Sequence, residues 1–526
     1  MEFQIPTGWT STTLENVANW GSGGTPSRKN PDFYIGDIPW IKTGELLSKY
    51  IRDSEEKISE EALNKSSAKI FPAGSVGIAM YGATIGKLAI FCVDAATNQA
   101  CAVATPIDGV IYNEFLYYYL LSERRSLIDS GKGGAQPNIS QSLLKMWPIL
   151  LPPFNEQKRI VAKIEELFSE LDNGIAALKT AREKLKLYRQ AVLKHAFEGK
   201  LTAQWREENK DKLETPEQLL ARIQKEREAR YQQQLEEWKA AVEKWEENGK
   251  EGKKPGKPKK LVQLTPVLET SKKEFPQLPP GWSYIRLGNL IDEPTYGTSA
   301  KCDYEAGEQS VLRIPNIYRG RIDDSDLKFA SFDIGEIDHL RLKVGDILTI
   351  RSNGSIALVG SCALIKETDT KHIFAGYLVR LRPNIKVIKS EYMLSAMSSH
   401  FLRKQIESAA KSTSGVNNIN SRELQNLIIP LASVEEQEEI ISILDYMLPL
   451  IDSAELEIEQ QLEKSETLRQ SILKKAFSGQ LVPQNPNDEP ASELLARIQA
   501  EKAAQQAAAK GKKTAAKRGR KAKVAS

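Results

Sequence analysis

The stretch FNEQKRIVAKIEELFSELDNGIAALKTAREKLKLYRQAVLKHAFEGKL, residues 154–201, is repeated as VEEQEEIISILDYMLPLIDSAELEIEQQLEKSETLRQSILKKAFSGQL, residues 434–481. Residues 138–201 align with 418–481 without a gap, and 19 of the 64 pairs are identical. The identities cluster. Asn138-Ile139 faces Asn418-Ile419, Glu156-Gln157 faces Glu436-Gln437, and Arg189-Gln190 faces Arg469-Gln470. Leu193-Lys194-x-Ala196-Phe197-x-Gly199-x-Leu201 returns as Leu473-Lys474-x-Ala476-Phe477-x-Gly479-x-Leu481. Working outward, Ile5-Pro6-Thr7-Gly8-Trp9 matches Leu278-Pro279-Pro280-Gly281-Trp282, and Leu219–Gln224 matches Leu494–Gln499. A unit of about 275–280 residues therefore occurs twice, too long for a solenoid repeat and suited to a duplicated module.

Inside the repeated stretch the apolar residues keep heptad spacing. One series is Ile164, Leu171, Leu178, Leu185, Val192; the other is Ile160, Leu167, Gly174, Ala181, Tyr188, His195. In the second copy these become Leu444, Ile451, Ile458, Ser465, Ile472 and Ile440, Met447, Ala454, Gln461, Leu468, Lys475. Such heptads predict two long coiled-coil helices, each lacking a partner unless they pair with one another. Antiparallel packing is expected, with Ile160, Ile164, Leu167, Leu171, Leu178 and Leu185 against Ile440, Leu444, Met447, Ile451, Ile458 and Ile472. A pseudo-two-fold would then relate the halves. Gly174 and Ala454 are expected to allow close approach, and Pro449 to kink or break the second helix.

The domain reading follows: head 1 at 1–154, helix 1 at 155–200, a charged segment at 201–276, head 2 at 277–433, helix 2 at 434–480, and a C-terminal segment at 481–526. Each head reads as mixed α and β, giving an α+β chain. Short apolar runs at Ser75–Met80, Lys87–Val93, Asp346–Ile350 and Ala357–Ile365 suit strands. Residues 113–128, capped by Asn113, and Ser390–Ile406 suit helices. The run Tyr117-Tyr118-Tyr119 reads as helix packing. Ile38-Pro39-Trp40-Ile41 faces Leu312-Arg313-Ile314-Pro315, Ala73–Val76 faces Val344–Ile347, and Met80-Tyr81-Gly82 faces Arg351-Ser352-Asn353. A shared skeleton with unlike side chains is what two different readers on one scaffold would show. Residues 216–247 predict a helix with Pro216 in its first turn, and Trp238 and Trp245 docked on a neighbour. Residues 249–260 read as a lysine-rich flexible linker. Residues 510–523 hold eight basic side chains and no acid, a solvated or phosphate-binding tail.

Hydrophobic residues make up 40% and charged residues 27% of the 526, ordinary globular usage. No apolar run reaches a membrane span, no secretory signal is visible, and four cysteines without a CxxC pair suit a reducing cytoplasm. A net charge of +4 is too small to prove nucleic-acid binding. Enzyme motifs fail on inspection. Pro152-Pro153-Phe154 follows Leu151, where an amino-methyltransferase loop needs Asn or Asp. Gly82–Leu88 is one residue short of a phosphate loop and lacks its Ser/Thr, so it reads as a strand turn. Pro31-Asp32 with Glu55-Glu56-Lys57 matches a nuclease pattern only loosely. The four histidines are scattered. No catalytic residue and no metal site is expected.

The architecture resembles the specificity subunit of type I restriction–modification enzymes. The resemblance rests on the two Pro-x-Gly-Trp openings, the two Glu-Gln helix starts and the two Arg-Gln-x-x-Leu-x-x-Ala-Phe-x-Gly-x-Leu helix ends. Gly23-Gly24-Thr25-Pro26-Ser27 and Ile38-Pro39-Trp40 add to it. It implies two target-recognition domains, each reading half of a split double-stranded DNA sequence, with the helices as spacer. It also implies two modification subunits that methylate adenine N6 from S-adenosylmethionine, and two restriction subunits that use ATP and magnesium. The chain itself would carry no cofactor, membrane contact or catalysis. The rival readings are a two-headed coiled-coil scaffold for proteins and a stand-alone nuclease.

Phosphate contacts would position each head and base-edge contacts would specify. Head 1 offers Arg28, Lys29, Lys42, Thr43, Lys87, Lys132, Gln136 and Asn138. Head 2 offers Arg313, Asn316, Arg319, Arg321, Arg351, Ser352, Asn353, Lys411, Asn417 and Asn418. Asn138 and Asn418 match in both heads and so cannot supply a difference in specificity.

Overall fold

The heptad stretches form two helices of 44 residues, Phe154–Phe197 and Val434–Phe477. A computed structural model describes residues 5–131, 138–250, 254–258, 260, 263–267, 275–305, 307–410 and 415–500. Contacts divide the chain into two compact units, Met1–Lys179 with Glu459–Ser526, and Thr180–Ile458. Each unit holds one head, the first part of the long helix that follows it, and the last part of the other long helix.

In the first unit, Thr10–Thr13 pairs antiparallel with Pro148–Leu151, bringing the start of head 1 to the start of its helix. A five-stranded sheet runs in the order Ala18–Ser22, Cys101–Pro106, Val76–Ala79, Leu88–Phe91, Tyr50–Ile51. A four-stranded sheet sets Ile38–Ile41 between Lys57–Ile58 and a parallel neighbour, Ala95–Thr97. The signature motifs lock these parts together. A Cβ on Gly23 would lie 2.1 Å from the Thr97 carbonyl oxygen. Gly24 N–H donates to that carbonyl, and the Trp40 indole donates to Gly24 O. One core joins Leu116, Leu120 and Leu127 of the head to Ile160, Ile164 and Phe168 of the first helix and Ile472, Leu473 and Ala476 of the second. Ala491 and Leu495 of the C-terminal segment close this core, and Ala491 N–H donates to Gly8 O.

The second unit repeats the plan. Ser283–Arg286 pairs with Ile428–Leu431. A sheet runs Thr295–Tyr296, Leu378–Leu381, Ile347–Ile350, Cys362–Leu364, matching the first four strands of head 1 in order. Gln309–Leu312 lies parallel to Ile373–Phe374, as Ile38–Ile41 does to Ala95–Thr97. Leu219 and Ile223 take the places of Leu494 and Ile498 and enter the core with Val192, Phe197, Ile440 and Leu444.

The repeated Glu-Gln pairs explain themselves here. Gln157 accepts from Tyr112 N–H and donates to the carbonyls of Val110 and Pro152. Gln437 accepts from Lys389 N–H and donates to Val387 and Ala432. Each glutamine thus satisfies buried backbone groups where a head hands over to its helix. Each glutamate accepts from the indole of the Pro-x-Gly-Trp motif, Trp9 on Glu156 at 3.0 Å and Trp282 on Glu436 at 2.8 Å. Gly8 and Gly281 sit at φ +80 and +85, backbone that glycine reaches without strain. The helix ends repeat too. Gly199, φ +68, lies so close to Pro279 that a Cβ would come within 2.4 Å, and Gly479, φ +73, stands likewise against Pro6 at 2.5 Å.

The long helices pack antiparallel in both units. In the first, Arg469 stacks 4.5 Å over Phe168 and pairs with Asp172. In the second, Arg189 pairs with Asp452. Within that second unit, Val192 and Phe197, which follow Arg189, share a core with Leu444 and Ile440, which precede Asp452, so one helix runs forward as the other runs back. Ile160, Ile164, Ile440, Leu444, Ile451 and Ile472 are buried, while Leu167, Leu171, Leu178, Leu185, Met447 and Ile458 are half-buried.

Several expectations change. Pro449 does not break its helix, which continues from Val434 to Phe477. Leu444 and Ile451 are buried on either side of it, so tertiary packing holds both flanks while the ring itself is exposed. Gly174 is not a close-approach point: it is exposed, and a Cβ there would meet nothing within 4 Å. Asn113 does not cap; Tyr112 stands at that place, and the Asn113 amide oxygen accepts from Glu114 N–H. The helix at 113–128 is two pieces, Asn113–Ser122 and Arg124–Asp129, and the 390–406 helix divides at Ser399, whose hydroxyl accepts from Leu402 N–H. The tyrosine run packs as expected, Tyr118 edge-on to Phe168 and Tyr119 to Phe477.

The charged helix spans Pro216–Glu247, with a Thr215–Gln218 capping box. Residues 254–258 and 260 are not a free linker; they lie along it. Tyr231, Trp238 and Trp245 form a stripe at seven-residue spacing, and Lys260, Lys257 and Lys254 lie within 6 Å of their rings in turn. Seven helical residues rise ~10.5 Å and three extended residues span about 9–10 Å, so the two spacings nearly agree. The Trp238 indole donates to Pro255 O. The basic tail lies outside the described residues.

Candidate nucleic-acid interface

Head 2 gathers polar side chains where its central strand Ile347–Ile350 leaves the sheet. The chain pairs again at once, Ser352 opposite Asn418 and Asn353 opposite Asn417. Arg351 Nε donates to Asn418 Oδ1 at 3.3 Å, and its guanidinium lies 4.6 Å over Tyr296. The Tyr296 hydroxyl accepts from Ser421 N–H, and Arg351 N–H donates to Tyr377 O. Asn417 Nδ2 donates to Gly354 O at 3.0 Å. Among the described residues no carboxylate forms an ion pair with Arg351. A held but unneutralised guanidinium beside two amides, a hydroxyl and exposed tyrosine rings offers the donors and acceptors that base edges demand.

Head 1 presents the same place with other chemistry. Ile139 N–H donates to Met80 O as Ile419 N–H does to Arg351 O. Met80 thus stands where head 2 has Arg351. Around it lie Tyr81, Asn138 and, after the turn at Gly82–Thr84, Lys87; Tyr81 and Asn138 are exposed and Lys87 is half-buried. Gly86 N–H donates to Ala79 O, so this segment is the strand turn expected rather than a phosphate loop.

Other candidates are spent on the fold. Arg28 stacks 4.0 Å over Tyr34 and pairs with Glu56 at 2.7 Å; Lys42 bridges Glu55 and Glu56 at 3.0 and 3.1 Å. The bond from Arg28, ahead of a smaller burial effect, lowers the Glu56 carboxyl pKa, and the Glu55 and Glu56 bonds raise Lys42. These acids therefore neutralise bases, and among the described residues no cluster of three metal-ligating side chains occurs. Thr43 and Asn316 are buried. The Asn316 amide is fully used, accepting from Arg313 N–H and donating to the carbonyls of Asp323 and Asp326. Arg313 pairs with Asp326, and Arg319 reaches Asp452 and Glu455. Lys29 and Arg321 are exposed. Lys132, Gln136 and Lys411 lie outside the described residues. Tyr296 and Tyr377 were not singled out from the sequence. The signal for Tyr296 is Gly297 beside it, which crowds the Ala375 carbonyl as Gly23 crowds Thr97.

Comparison with known proteins decides what these heads belong to. The family model for the type I restriction modification DNA specificity domain matches residues 6–180 and again 279–464. The chain belongs to the type I restriction–modification specificity family. Its relatives include the EcoKI specificity subunit of Escherichia coli K12, 26% identical over 95% of this chain and 97% of that one. The StySPI specificity subunit of Salmonella potsdam is 24% identical over 98% and 99%. A solved chain from work on complex assembly and conformational transition of the type I R-M system shares the fold at TM-score 0.62 and 19% identity, covering 91% of this chain and all of that one. The HsdS subunit from Thermoanaerobacter tengcongensis does so at 0.50 and 18%, covering 91% and 99%. As a specificity subunit the chain serves DNA sequence recognition. Among the described residues no helix is long and apolar enough to cross a membrane.

Proposed function

We propose that this specificity subunit reads a split, asymmetric duplex target, one half-site per head. The observation that carries this is the polar cluster around Arg351 in head 2 set against Met80, Tyr81, Lys87 and Asn138 on the same frame in head 1. One frame with two chemistries suits two different half-sites, whereas like clusters would suit a palindrome.

On this reading the chain docks two methyltransferase subunits and two restriction subunits. The matched brackets Arg189–Asp452 and Arg469–Asp172 support that count, because each unit offers a copy of the same helix pairing to an identical partner. The partners would supply adenine-N6 methylation from S-adenosylmethionine and cleavage driven by ATP with magnesium. The purified chain alone is expected to transfer no methyl group.

The test exchanges residues 20–135 for the corresponding part of a related chain and maps methylated sites in a host with the modification subunit. One half of the methylated sequence should change and the other stay. A change in both halves, or in neither, overturns the reading.

A further inference from the structure

The two repeats bracket their helices alike but seat their heads differently. In the second unit Ile317–Tyr318 and Arg321–Ile322 form a hairpin closed by Arg319 and Gly320, at φ +47 and +82. Two-residue turns with both central φ positive are filled most easily by Asn-Gly or Asp-Gly. Arginine there meets a steric cost that asparagine largely avoids, which directs attention to its side chain. The guanidinium lies 3.3 Å from Glu455 Oε2 and 3.8 Å from Asp452 Oδ1. Those carboxylates stand one helical turn apart and also take Arg189 from the other long helix. Two cations meet two anions around a Glu455 side chain only 12% exposed.

The first unit keeps the bracket and drops the seat. Asp172 pairs with Arg469, but Ile175 stands where Glu455 would be. Head 1 is anchored two turns earlier, by Lys49 on Glu165. The ammonium also lies 3.3 Å from the Tyr118 hydroxyl and within 5 Å of the Tyr50 and Tyr118 rings. Burial opposes its charge, yet the bond to Glu165 and its neighbours raise its pKa. Helix pairing is thus common to both repeats, and the ionic seat of each head is its own.

We infer that Arg319 is a positioning residue: it seats head 2 on the second long helix at Asp452 and Glu455 and so limits how many unread base pairs the subunit accepts. This rests on the split-target reading above. The test uses the full chain with its methyltransferase partner. Arg319→Asn keeps the turn, since asparagine tolerates left-handed backbone, and Arg189 still holds both carboxylates, so the helix pair survives. Amide exchange across residues 317–322 should quicken about two- to fivefold, the effect of losing a half-exposed arginine's ionic seat. Methylation should spread to sites whose spacer is one base pair longer or shorter, with half-site bases unchanged. Combining Arg319→Glu with Glu455→Arg should restore slow exchange and the single spacer, which neither change alone achieves. Unchanged exchange in Arg319→Asn overturns the seat, and fast exchange with an unaltered spacer overturns its positioning role. A wild-type methylation map without a split target would sink the proposed function and the spacing role with it, while exchange would still report the contact.

Discussion

Glu156 and Glu436 stand at matching places yet carry different loads. Glu156 is buried and accepts from Trp9, with Arg159 as a weaker neighbour; burial raises its pKa. A carboxyl raised in the folded state stabilises most below its unfolded pKa, and that contribution is lost as pH climbs through the folded value. Glutamine imitates the neutral acid and can still accept the indole bond. Glu156→Gln should therefore melt at or above wild type at neutral pH, and the gap should close as pH falls below the ordinary glutamate value, where the carboxyl is protonated in both the folded and the unfolded chain. Glu436 instead takes Trp282, Thr202 and Arg206 together. Glu436→Gln strands the Arg206 guanidinium, 11% exposed, and should lower stability by about 3 kcal/mol. Thermal melts across pH check both, and equal losses in the two variants would contradict this account. Both glutamates were conspicuous in the sequence through the repeat. Their partners were not, because Trp9 lies 147 residues from Glu156.

At the scale of elements, glycines separate helix propensity from backbone geometry. Gly174 sits inside a helix with open space where a Cβ would go. Gly174→Ala should stabilise by about 1 kcal/mol, the ordinary penalty of glycine in a helix interior. Gly199 ends the same helix at φ +68 with Pro279 against it. Gly199→Ala should destabilise by about 1–2 kcal/mol or more, since left-handed backbone costs that much before any clash. Helical circular dichroism on heating distinguishes the two, and a shift of the same sign in both would refute the assignment. The heptads announced both helices and their pairing because periodicity is local. The break expected at Pro449 does not occur, because Leu444 and Ile451 on either side of it are buried by other parts of the fold.

For the molecule as a whole, the prediction concerns length. Inserting one heptad into each long helix adds ~10 Å at ~1.5 Å per residue. That corresponds to about three base pairs at ~3.4 Å each. If the helices act as the ruler between half-sites, a host carrying the lengthened chain with its modification subunit should show methylation of the same half-sites across a longer spacer. The added pairs also rotate one half-site about the duplex, so a narrow tolerance is expected. Methylation mapping reads the result; an active variant that keeps the original spacer would assign the ruler to something else.

The sequence alone determined the duplication, the two heptad helices, the charged helix at Pro216 and the family, because repeats, periodicity and capping are written in neighbouring residues. It also marked the matched frames at Ala73–Val76 with Val344–Ile347 and at Met80 with Arg351, since turn glycines and apolar runs are local, but it set Ile38–Ile41 against Leu312–Pro315 where the fold matches that strand to Gln309–Leu312, three residues earlier. The fate of each polar residue was decided only in three dimensions. Arg28 and Lys42 looked free for phosphate until folding brought Glu55 and Glu56 beside them. Asn316 looked ready for a base until three backbone groups consumed its amide. Lysines 254, 257 and 260 looked solvated until an aromatic stripe received them. A charged or amide group takes whichever partner the fold sets within about 3 Å, whether that partner is a few residues off, as for Asn316, or farther along the chain, as for Arg28. Spacing along a sequence therefore reveals elements, while the availability of a side chain for DNA depends on tertiary contacts.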